Sequence, residues 1–128
     1  MRTPGADRQR QVLKVLRTHG RPMSAYEILN AMKGGESRLA PPTVYRALSA
    51  LMDAGSAHRL ESLNAFVPCQ CDEADHTPVL AICEQCGTVE EHADPPVLER
   101  LSKITEATGF RARHHVVEVH GLCGSCAA

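Results

Sequence analysis

Pro41-Pro-Thr-Val-Tyr-Arg-Ala-Leu48 is the stretch on which the reading of this 128-residue chain turns. Proline suits a first helical turn, because the N–H it lacks would be unpaired there anyway. Behind the two prolines, Val44, Ala47, Leu48 and Leu51 recur at helical spacing as a buried face, and Gly55 ends the run. The outward face carries Thr43, Tyr45, Arg46 and Ser49, with Arg46 the only formal cation on the helix. A guanidinium can bond a guanine edge through two parallel N–H groups, so this face has the chemistry of a helix that reads a DNA major groove.

The flanking sequence agrees. From about Arg8 to His19, Val12, Leu13 and Leu16 share a face and Gly20 stops the helix, with residues 1–6 read as a loose end. Ser24-Ala-Tyr-Glu27 is a capping box opening a helix that buries Ile28, Leu29 and Met32 and stops at Gly34-Gly35. Tyr26, near its start, can touch a thymine methyl or a phosphate, as can Tyr45; either ring also suits partly buried packing. After the third helix, Ala57–Val67 reads as a hairpin. Three short helices and a hairpin predict a winged helix-turn-helix whose third helix enters the groove.

The second half has a different character. Residues 1–66 hold ten Lys/Arg against five Asp/Glu, whereas residues 67–128 hold four against ten. A basic half joined to an acidic, cysteine-rich half predicts a nucleic-acid arm and a separate module for metal or self-association. Cys83-Glu-Gln-Cys86 and Cys123-Gly-Ser-Cys126 are two Cys-x-x-Cys knuckles able to present four thiolates to one tetrahedral zinc. The same spacing suits two disulfides or four unrelated thiols. The 36 residues between the knuckles require a fold that brings them together. Val79–Ile82 and the segment around Val89 read as strands flanking the first knuckle. Pro95-Pro96 open a helix with Val97, Leu101, Ile104 and Thr108 on one face, and Phe110–His120 reads as a strand leading into the second knuckle. Some sixty residues with few aromatics build a small core, so zinc and a partner subunit extending the sheet are expected to supply the rest. The expected fold is α+β: a DNA-binding domain at 1–67, a hinge at 68–76 with Pro68 and a polar run, and a zinc-stapled α/β dimerisation domain at 77–128.

No opening stretch has the pattern of a signal peptide, and no apolar run approaches the roughly 18 residues of a membrane span. The expectation is a cytoplasmic protein without a membrane partner, where thiols stay reduced and cysteines read first as metal ligands.

Three motifs together resemble the ferric uptake regulator family: Pro-Pro-Thr-Val-Tyr-Arg-Ala-Leu at 41–48, Cys-x-x-Cys-Gly at 83–87 and His-Gly-Leu-Cys-x-x-Cys at 120–126. Ser-Ala-Tyr-Glu at 24–27, His58-x-x-Glu-Ser and Thr-x-Glu-Glu after the first knuckle are most similar to its zinc uptake regulator branch. The likeness runs from about residue 8 to the C-terminus, with the additional N-terminal helix of many members shortened or absent. It implies a homodimeric repressor of zinc-uptake genes that binds a palindromic double-stranded operator when metal-loaded, with two Zn2+ per chain. Structural zinc would sit on Cys83, Cys86, Cys123 and Cys126, and regulatory zinc on His58, Cys69, His76 and Glu91. One thiolate, two imidazoles and a carboxylate fit tetrahedral zinc, and the soft sulfur works against magnesium or manganese. Neighbouring Cys71, Glu90 and His92 are the substitutes to weigh. A further family site would fall on Thr77, Val79 and Leu98, which have no metal-binding side chains; His115 alone matches it.

Other readings come from other classes. A thiol redox protein would use Cys123-Gly-Ser-Cys126 as a dithiol, but such pairs sit at a helix N-terminus. Only two residues follow Cys126, too few for a helix to start there. A zinc hydrolase or deaminase lacks its His-x-Glu or His-Glu-x-x-His motif, so the expectation is no enzyme. A structural zinc ribbon leaves the first half unexplained. An iron or peroxide sensor remains the alternative within the family.

Overall fold

The computed structural model describes residues 4–32, 39–70 and 77–128, in two compact units, Met1–Asp75 and His76–Ala128. The first unit holds α1 (Pro4–His19), α2 (Ala25–Met32), α3 (Pro41–Asp53), β1 (Ala57–Leu60) and β2 (Ala65–Pro68). The predicted loose end is therefore shorter than expected, because α1 already begins at Pro4. A proline at that point has the fixed φ that a first helical turn needs.

The capping box forms in both directions. The Glu27 N–H donates to Ser24 Oγ at 3.1 Å, and the Ser24 N–H donates to Glu27 Oε1 at 3.1 Å. Two N–H groups that the first turn of α2 leaves unpaired are thereby satisfied. The predicted stop at Gly34-Gly35 lies outside the described residues. Val12, Leu16, Ile28, Leu29, Val44, Ala47, Leu48 and Leu51 join one core, while Leu13 and Met32, predicted on the same faces, pack against it only partly buried.

β1 and β2 form an antiparallel hairpin with His58 opposite Val67 and Ala57 opposite Pro68. Asn64 turns it at φ 50°, a left-handed conformation that Asn tolerates better than most residues. Met23, just ahead of α2, bridges Phe66 through N–H···O bonds of 3.0 and 2.7 Å. The hairpin is thus laced to the entry of α2 as well as packed on the helices.

The second unit holds β3 (Val79–Cys83), β4 (Val89–His92), α4 (Pro95–Glu106), β5 (Val117–Gly121) and the single turn α5 (Gly124–Ala127). The sheet order is β4-β3-β5, antiparallel on one side of β3 and parallel on the other. The predicted strand at Phe110–His120 is shorter than expected. Pairing starts only at Val117, opposite Val79, because β3 has no earlier residue to pair with. Residues 110–116 instead run alongside α4, where His115 Nε2 lies 3.0 Å from Ser102 Oγ. α4 buries none of its side chains, and Ile104 and Phe110 are 58% and 61% exposed. Among the described residues no helix is long and apolar enough to cross a membrane.

Leu48 is 1% exposed at the centre of the helical core, whereas Ser49 faces outward. Leu48→Ala should destabilise the first unit by about 2–5 kcal/mol, while Ser49→Ala stays within about 0.5 kcal/mol. Denaturant unfolding followed by circular dichroism at fixed zinc concentration measures both.

Candidate metal centre and nucleic-acid face

The parallel pairing of β3 with β5 closes the 36-residue gap between the knuckles. Its register sets Cys83 beside Gly121, and the Glu84 N–H donates to the Gly121 carbonyl at 2.8 Å. Cys83 ends β3, and Cys123 follows β5 by two residues. Each chain end then turns back on itself. Gly87 takes φ 78°, which lets its N–H reach the Cys83 carbonyl at 3.0 Å. At the other knuckle a helical turn does start, contrary to expectation. Cys123 caps α5, and the Ala127 N–H donates to the Cys123 carbonyl at 2.8 Å. One turn needs only four residues, and it folds Cys126 back toward the other sulfurs.

All four Sγ atoms lie within 4.8 Å of one another, and Cys86 Sγ is 3.7 Å from Cys123 Sγ. Sulfurs held about 2.3 Å from a tetrahedral zinc stand about 3.8 Å apart, whereas a disulfide requires about 2.05 Å. The donor set and its spacing fit zinc. Bound there, zinc would supply a closed cross-link between the two strand ends.

The local electrostatics fit as well. The Cys86 N–H donates to Cys83 Sγ at 3.4 Å. That bond, with a further one from the Cys123 backbone, draws the Cys83 thiol down to about 6. Thr88 Oγ1 lies 3.0 Å from Cys86 Sγ, and its hydroxyl lowers that thiol by donating to the thiolate. Cys126 is pushed up to about 12, first by its contact with Cys123 and then by Cys83. Four sulfurs this close cannot all ionise without a cation between them. Thr88 was not among the predicted site residues; its position in the turn just after Cys86 was the available signal.

Of the second predicted set, His58 and Cys69 lie in the first unit. Hairpin register explains their meeting: the Cys69 N–H bonds the Ser56 carbonyl at 2.8 Å, one step beyond Ala57 and Pro68. His58 and Cys69 therefore share a face as diagonal neighbours. A ring nitrogen of His58 and Cys69 Sγ are within 4.8 Å, and both residues are half-buried. Glu91 belongs to the second unit, half-buried on β4. Its neighbours Glu90 and His92 point to the opposite side of the strand, exposed and 3.2 Å from each other. His76 and Cys71 lie outside the described residues. Thr77 and Leu98 are half-buried, and His115 is engaged with Ser102.

The outward face of α3 is laid out as the periodicity predicted. Tyr45 is 53% exposed, Arg46 and Ser49 are exposed, and Thr43 is half-buried. Arg46 Nη2 donates to Thr43 Oγ1 at 3.5 Å, one turn earlier on the helix. Tyr26 stands out from α2 at 69% exposure.

Known proteins resemble this chain over most of its length. The family model of the ferric uptake regulator family matches residues 5–120. The zinc uptake regulation protein of Escherichia coli K12 is 38% identical over 117 residues, spanning 91% of this chain and 68% of that protein. A zinc uptake regulator solved with zinc and DNA superposes with a TM-score of 0.88 at 36% identity, over 98% of this chain and 82% of that one. The crystal structure of holo XcZur gives 0.86 at 40% identity, over 98% and 85%.

Near pH 7.5, metal-free protein should hold Cys83 as thiolate and Cys126 as thiol, given values of about 6 and about 12. Zinc uptake should then expel the Cys126 proton, because metal binds thiolate. Calorimetric titration in buffers of different ionisation enthalpy reads that release, and acidification should return zinc to solution. Cys83→Ser should lose the ion and the ordered second unit together, seen by metal counting and circular dichroism.

Proposed function

The chain belongs to the ferric uptake regulator family, and from that premise we propose that it is a zinc-responsive repressor of zinc-uptake genes. The observation that carries this reading is the likeness, over nearly the whole chain, to a regulator solved with zinc and DNA. It acts in the cytoplasm as a homodimer on palindromic operators, and it works by binding rather than catalysis.

Each unit contributes a part. Residues 1–67 form the DNA-binding domain, 68–76 the hinge and 77–128 the dimerisation domain. The exposed apolar face of α4 and the outer edge of β5 supply a surface that a second copy would cover. Cys83, Cys86, Cys123 and Cys126 hold structural zinc; four thiolates leave no open position, so this ion has little reason to leave. On α3, Arg46 reads a base edge while Thr43, Tyr45 and Ser49 line the groove, with Tyr26 reaching the duplex from α2.

Sensing falls to a second zinc per chain, held by His58, Cys69, His76 and Glu91. Support comes from the closeness of His58 and Cys69, from a soft thiolate in the set, and from the position of Glu91 on the side of β4 away from the Glu90–His92 pair. Ligands drawn from wing, hinge and second unit would tie zinc loading to the spacing of the two α3 helices. Palindromic half-sites about 34–36 Å apart reward only the matching spacing. A switch from mostly inactive to mostly active takes about 5 kcal/mol of differential binding.

Metal counting by mass spectrometry, run beside DNA binding across buffered free-zinc concentrations, tests the reading. Two zinc ions per chain and zinc-dependent binding are the expected results. Cys69→Ser should keep one tightly held zinc but lose the zinc response; a response that survives would put the sensing thiolate elsewhere. Arg46→Ala should leave both ions in place while removing sequence preference, with a loss of about 1–3 kcal/mol at the base it reads.

A further inference from the structure

Four thiolates around a divalent cation leave two negative charges in excess, and the local sequence offers no formal cation to offset them. No Lys or Arg occurs between Arg59 and Arg100 or after Arg113, so neither knuckle contains or adjoins one. The sulfurs must shed that charge into hydrogen bonds. Cys83, 4% exposed, takes the Cys86 N–H at 3.4 Å and a backbone bond from Cys123. Cys86 is half-buried instead, in a turn whose Glu84 and Gln85 are exposed. Its Sγ lies 3.0 Å from Thr88 Oγ1. Among the described residues, no other side chain outside the four cysteines is bonded to a sulfur of the cluster.

The Thr88 hydroxyl is set in place by its own main chain. The Thr88 carbonyl accepts the Cys83 N–H at 2.9 Å, and the next residue, Val89, opens β4 opposite Ile82. One residue thus reaches both cysteines of the knuckle, Cys83 through the backbone and Cys86 through the side chain. The sense of the second bond depends on the metal. A free Cys86 thiol can give its hydrogen to Oγ1, whereas a metal-bound sulfur has none left, so the hydroxyl becomes the donor. A hydrogen bond to an ionised acceptor is about twice as strong as a neutral one, and it draws charge out of the sulfur.

We propose that Thr88 is a positioning residue of the four-cysteine centre, its hydroxyl holding Cys86 as a metal-bound thiolate and setting how firmly that sulfur is kept. A closed site opens when one sulfur takes up a proton or yields to a competing ligand. A thiolate already engaged by a donor does either less readily. Partners of this kind matter nearly as much as the ligands they steady, and their substitution costs about 10–100-fold in metal affinity. The inference deepens the reading of the cluster as the structural zinc site and rests on it.

The test loads the full chain with Co2+ in place of zinc, because tetrahedral Co2+ shows thiolate charge-transfer bands whose strength counts the bound sulfurs. Thr88→Val keeps the carbonyl and the branched shape and removes only the hydroxyl. It should move those bands to lower energy and weaken Co2+ binding by roughly tenfold or more in competition with a chelator. Thr88→Ser, which restores a hydroxyl, should recover most of both. Unmoved bands or unchanged affinity in Thr88→Val would overturn the assignment, as would a loss that serine does not rescue, the mark of packing rather than hydrogen bonding. Each of those results leaves the four-cysteine site standing. A wild-type chain whose Co2+ spectrum lacks four-thiolate intensity sinks the zinc reading, and the role of Thr88 with it.

Discussion

The second unit depends on one register: Cys83 on β3 beside Gly121 on β5, in parallel. A parallel pair cannot be joined by a tight turn, so the chain must travel through β4, α4 and the 110–116 segment before returning. Sliding β5 by one residue would carry Cys123 and Cys126 along the strand axis by about 3.3 Å, nearly a whole sulfur–sulfur edge. It would also turn each side chain of β5 to the other face. A four-thiolate cluster therefore locks the register, and the register builds the cluster. Neither is strong alone in a unit whose buried hydrophobics are few.

The first unit is built by the opposite logic. Its helices come from local signals, a proline start, a capping box and apolar faces at helical spacing, and these faces converge on one dry core. Local packing of this kind needs no metal. The contrast suits a division of labour in which the DNA-reading face is formed by packing and the second unit by coordination. It also locates the chemistry: α3 points its polar face out because Val44, Ala47, Leu48 and Leu51 are committed inward.

Much of this was legible in the sequence, for physical reasons that differ by element. α3 was readable because its buried and exposed positions separate cleanly and its prolines fix where it starts. The knuckles were readable because two Cys-x-x-Cys pairs have the donor number and spacing of a four-thiolate metal site. What periodicity could not supply was pairing. The branched residues Val116, Val117 and Val119 favour an extended chain, but only the length of β3 decides that the ladder starts at Val117. The turn at Cys123 escapes a reading that counts only the residues beyond Cys126, because a single hydrogen bond from Ala127 suffices to close it. His58 and Cys69 meet across a hairpin, and that diagonal becomes visible only with the register in hand.

The bridge from Met23 to Phe66 reaches beyond the hairpin it holds. Two backbone bonds lace the hairpin to the entry of α2, tying the edge that carries His58 to the helices whose core supports α3. Under the proposed function, the grip of a single α3 on a single groove belongs to the folded first unit, and what a metal ion alters is the arithmetic of two such grips engaged at once.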